Sequence, residues 1–155
     1  MIIRDTVALG ATAGILGTVP QLIFDFIAVQ LGWSGYYAFQ ISGSIYLLER
    51  FTDSFGGLIL GGLVWESMAI LLGILIVMTI RITGMDFWWL KGLAVSNIIM
   101  FIIIYGFLYT LGAAKIVPFD IQTNLTMFIG NMIFGLTASY LIIRLGDMKL
   151  EGNIS

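Results

Sequence analysis

Four runs of mostly apolar residues, at 7–31, 56–80, 90–111 and 123–143, constrain this chain more than any other feature. A hydrocarbon layer of about 30 Å is crossed by about 20 apolar residues in a helix, and every run reaches that length. Within lipid the backbone N–H and C=O groups have no water to bond, so such a run folds as a helix. The expected fold is therefore all-α: an integral membrane four-helix bundle, one transmembrane domain over residues 1–155. Composition agrees, with 59% hydrophobic and 10% charged residues. A soluble domain carries about 25% charged residues, enough to clothe its surface in water, and this chain has too few. The expected setting is the cell membrane, multi-pass, with the lipid bilayer as partner. Ala11, Thr12 and Ala13 have a cleavage-like spacing, but the apolar run continues well beyond them, so the first span is read as uncleaved.

Orientation follows from lysine and arginine, whose translocation is disfavoured. Arg4, Arg81, Lys91, Arg144 and Lys149 flank one side of the spans, while Arg50 and Lys115 flank the other. That balance expects both termini in the cytoplasm. Trp33, Tyr36, Tyr37 and Phe55 on the outer edge, and Phe87, Trp88 and Trp89 on the inner, fit interfacial belts. In the first outer loop, residues 36–48 are apolar but too short to span. Gly35, Ser42, Gly43 and Ser44 interrupt them, so the segment is expected to be interfacial or re-entrant, or an ordinary amphipathic surface loop. Glu49, Arg50 and Asp53 return the chain to water.

Cysteine and histidine are both absent. Disulfides, thiolate nucleophiles, imidazole bases and Cys/His metal sites are thereby excluded, and no metal or cofactor is expected. With no basic tract, nucleic acid is not an expected partner.

Residues three and four apart share a helix face. The first span carries Gly10, Gly14, Gly17, Thr18, Gln21, Asp25 and Ala28 in one such stripe. The second carries Gly62, Glu66, Ala69 and Gly73, and the fourth Asn124, Asn131, Gly135 and Ala138. Helices gain nothing hydrophobic by associating in lipid, so small residues that admit close approach and polar groups that bond across become the association signal. Gly57 and Gly61 form a second small face on the second span, expected to meet another copy of the chain unless the helix is simply buried tightly. Pro20 removes a backbone donor from the first span and predicts a kink, with Gln21 the nearest donor for the freed Leu16 carbonyl.

Intramembrane carboxyl groups are rare and point to function by default. Counting about 1.5 Å per residue from each span's centre, Glu66, Gln21 and Asn131 lie at a common depth, about 3 Å to the outer side, and Asp25 about 9 Å out. The expectation is a polar layer of Gln21, Asp25, Glu66 and Asn131, in which a neutral Glu66 donates to one amide and accepts from another. Such a layer either fixes helix register or serves a proton or cation. Asn97 is its inner analogue. Asp25 and Glu66 differ in depth by about 6 Å and lack a nucleophile, so no enzymatic role is expected.

Trp89 and Gly92 opening the third span, Pro118 and Thr123 before the fourth, and the glycines ahead of Tyr140 in residues 130–140 give the second half a resemblance to YqhR-type small membrane proteins of Gram-positive bacteria. The resemblance covers about half the chain. It implies a compact four-helix membrane protein in a bacterium and adds no catalytic residue. Three functions remain open: a structural protein that self-associates through glycine-rich faces into a homo-oligomer or larger assembly, a small proton- or cation-linked channel or transporter using Glu66 and Asp25, and an accessory subunit of a larger membrane complex.

Overall fold

The computed structural model describes residues 2–146; Lys149, used above for orientation, lies outside them. The described residues are helical apart from loops and a single backbone bridge between Ile3 and Gly146. Four helices are long and apolar enough to cross a membrane: α1 (Thr6–Gln30), α4 (Phe55–Thr83), the third span (Trp88–Thr110) and α7 (Ile121–Leu145). Their ends lie within three residues of the expected ones. The third span is continuous but not uniform. It comprises α5 (Trp88–Val95), a wide π-helical stretch over Ser96–Tyr105 and α6 (Gly106–Thr110).

Each long α-helix starts where a side chain satisfies a free backbone donor. Asp5 accepts from the Ala8 N–H at 2.6 Å, Ser54 from Gly57 at 3.1 Å and Asp120 from Thr123 at 2.6 Å, the N-cap arrangement that Asp and Ser favour. Gly84, at φ 87°, ends α4 in a conformation that disfavours other residues. Phe87 follows at φ 53°, and Lys91 Nζ clasps this turn by donating to the Thr83 and Gly84 carbonyls. Pro20 lies within α1, which runs unbroken past it, and Gln21 is turned toward α7 instead of the Leu16 carbonyl.

The spans pack as a closed ring in which α1 touches α4 and α7, and the third span bridges α4 and α7. Leu9, Ala13, Ile76, Val77, Ile80 and Ile142 fill the half nearest the chain ends. The first loop holds two short helices, α2 (Ala38–Gly43) and α3 (Glu49–Thr52), both packed against α4.

That packing corrects the expectation for Gly57 and Gly61. A Cβ on Gly61 would collide with the Phe39 carbonyl, and one on Gly57 with the Phe51 carbonyl. Their face is therefore taken up by the chain's own first loop. The physical reason is the 13-residue apolar segment 36–48, too short to cross the bilayer and needing cover, which uses the small residues of α4 as its seat.

Candidate functional site

All seven small or polar residues of the α1 stripe are buried, but they form two seams. Gly10 packs on Ile74 and Gly14 on the Ala69 carbonyl, both on α4, whereas Gly17 faces Phe134 and Ala138 on α7. Successive residues turn by about 100°, so positions three apart point about 60° away from each other. One sequence stripe thus serves two neighbours. A Cβ on Gly73 would run into the Gly10 carbonyl and the Gly14 backbone, and Gly62 lies loosely near the Phe39 ring.

The polar side chains inherit this division. Thr18 donates to Glu66 Oε1 on α4 at 3.0 Å and to the Ile15 carbonyl at 2.7 Å, one proton shared between two acceptors. Gln21 Nε2 donates to Asn131 Oδ1 on α7 at 3.5 Å, a long contact. Asp25 Oδ2 accepts from the Ala38 N–H of α2 at 3.1 Å. The expected single layer is therefore a ladder up α1 whose rungs go to three different elements. Glu66, half-buried on α4, is joined to Thr18 and to neither amide. The depth count put Glu66 beside Gln21 and Asn131, and the angular position on α1 decides the partner instead. Asn97 bonds backward to the Leu93 carbonyl of its own helix, at 3.1 Å.

Several buried polar atoms along this ladder carry no hydrogen bond: Trp65 Nε1, Glu66 Oε2 and Asn131 Nδ2. Two cavities of about 10 Å³ lie beside Trp65, one lined also by Gln21 and Asn131 and the other by Gln21 and Asp25. That volume is near the minimum for one water molecule. Among the described residues no cluster of carboxylates is arranged to hold a metal ion.

The first loop is stitched to the far side of the bundle by residues the sequence reading did not single out as a site. Ser44, fully buried, accepts from the Ile116 N–H at its Oγ and from the Lys115 N–H at its carbonyl, both at 3.2 Å. Thr123 Oγ1 accepts from the Gly35 N–H at 3.0 Å, and Thr126 donates to the Trp33 carbonyl at 3.4 Å. The one available signal was the placement of short hydroxyl residues beside apolar ones at the outer loop ends.

No protein-family model matches the sequence, and neither characterised proteins nor solved structures give a match to it.

Proposed function

We propose that the chain is a non-enzymatic structural protein of a bacterial cell membrane, with both termini cytoplasmic, that associates side by side with copies of itself through the third span. The observation that carries this reading is the packing of that span. Only 22% of its apolar window is buried, against 39%, 39% and 50% for the other three. Its bare face presents Ile98, Ile102, Ile103 and Phe107, and beside them Gly106 has no heavy atom within 4 Å of where a Cβ would stand. Glycine costs a helix roughly 1 kcal/mol relative to alanine, and in lipid such a position is useful where another helix approaches closely. The close-packing glycines of the other spans, Gly10, Gly14 and Gly17 of α1, Gly57, Gly61 and Gly73 of α4 and Gly135 of α7, meet partners within the chain. Arg4 and Arg81, joined through the Arg4 carbonyl, and the clasp of Lys91 lie at the end where Ile3 and Gly146 meet, which supports the cytoplasmic orientation. The YqhR-type resemblance belongs to the same proposal.

The test is particle size after extraction in mild detergent. A discrete multimer of one chain is expected, falling to a monomer in Gly106→Leu. A monomeric parent protein overturns the reading, foreign chains in the particle favour the accessory-subunit alternative, and ion flux from reconstituted vesicles that vanishes in Glu66→Gln favours the transport alternative.

A further inference from the structure

At the end of the bundle that carries the first loop, residues of α1, the first loop and α4 line an open groove of about 540 Å³. This lies within the 300–1,000 Å³ of small-molecule sites and is some fifty times the volume of either cavity on the ladder. Its walls are apolar and aromatic, with Leu22 and Phe26 from α1, Tyr37 and Phe39 from the first loop and Phe55 from α4, and Asp25 lies among them. We propose that this groove binds a lipophilic organic monocation drawn from the bilayer, an apolar chain or ring system bearing one ammonium group.

Charge complementarity selects the occupant. Asp25 is 9% exposed, its Oδ2 accepts from Ala38, and Oδ1 receives no hydrogen bond among the described residues. A carboxyl group in that position lacks a partner of opposite sign, since no lysine or arginine lines the groove. Aromatic faces attract cations through their quadrupoles, and a carboxylate within an aromatic enclosure is the chemistry that recognises ammonium groups. The Phe26 and Tyr37 rings stack with centroids 6.3 Å apart, and the Tyr37 hydroxyl accepts from Gln30 Nε2 at 2.9 Å, which fixes one aromatic wall. Phe55 is 82% exposed, so its ring is free to close over a guest. The apolar walls take the tail. A zwitterionic phospholipid fits less well, because its phosphate meets no cation on these walls while its ammonium competes for Asp25. The proposal is independent of self-association, since the groove is formed by α1, α2 and α4 within one chain.

The probe is radiolabelled dodecyltrimethylammonium, equilibrated with the full chain in phosphatidylcholine nanodiscs, with protein-free nanodiscs as background. Saturable binding of one probe per chain is expected. Asp25→Asn, whose side-chain oxygen still accepts from Ala38, should elute like the parent and bind at least tenfold more weakly. Leu58→Trp, which fills the groove from α4 and leaves Asp25 in place, should abolish binding. Dodecanol, with the same tail and no charge, should not displace the probe. The proposal is overturned by binding no greater than in protein-free nanodiscs, by full affinity in Leu58→Trp, or by full affinity in a folded Asp25→Asn protein. Equal displacement by dodecanol would make the groove a plain acyl-chain site, and equal displacement by dodecylphosphocholine a phospholipid site; both results overturn it too.

Discussion

Gly14 and Gly17 are three residues apart on one helix, yet they meet different neighbours and should tolerate change differently. A methyl group on Gly14 would run into the Ala69 backbone carbonyl, which cannot move without shifting α4, whereas one on Gly17 would stand 3.1 Å from the Ala138 methyl and 3.3 Å from the Phe134 ring. Overpacking of this kind costs about 1–3 kcal/mol. Gly14→Ala should therefore lower stability by an amount in that range, and Gly17→Ala by clearly less, in unfolding titrated with a denaturing detergent. Equal losses would contradict the two-seam packing. At Glu66, the amide of Glu66→Gln keeps the shape of the carboxyl and can still meet Thr18, so stability should be unchanged. Glu66→Leu should lose about 0.6 kcal/mol, the average for a hydrogen bond between membrane helices. Residue types and spacings in the sequence were sufficient to pick out the buried polar positions of α1. The partners were not legible, because they depend on the rotation of each helix about its axis, and a count of rise per residue carries no angle between helices.

Among elements, α2 shows best what a linear reading misses. Its apolar character and insufficient length were visible in residues 36–48, but its seat on Gly57 and Gly61 was not, because the same small residues also fit an intermolecular contact. Gly61→Leu should dislodge α2 while leaving the four spans inserted. Ser44→Cys reports this directly: buried in the parent, it should resist a water-soluble maleimide there and react in the Gly61→Leu background. A protected cysteine in both would show that α2 does not rest on Gly61. At the start of α7, the Thr123 backbone N–H holds the Asp120 carboxyl below its usual pKa. A lowered value stabilises the folded state above the unfolded value of about 3.9, and that contribution fades as pH falls through the lower folded value. Asp120→Ala should cost about 1 kcal/mol at neutral pH, and the difference from the parent should shrink below about pH 4. The π-helical stretch Ser96–Tyr105 had no sequence signal, since widening to i→i+5 bonding leaves the apolar pattern intact.

On the scale of the whole molecule, the four spans and their ends were readable because the lipid requirement for internal backbone bonding leaves few alternatives to a run of 20 apolar residues. Sidedness rests on charge alone, and it predicts that Asp53→Cys in the first loop is labelled from outside intact cells, whereas Asp86→Cys in the turn between α4 and α5 is labelled only after the membrane is opened. The reverse pattern would invert the protein. The bridge between Ile3 and Gly146, with the Ile3 N–H donating to the Leu145 carbonyl at 2.7 Å, sets α1 beside α7 and completes the ring of spans. A ring has no privileged first helix. If residues 3 and 146 were joined by a short linker and the chain reopened at the exposed turn near Asp86, the circular permutant would begin with α5 and end with α4. It would still have four spans and both new ends on one side of the bilayer, and it should assemble the same bundle from a reordered gene.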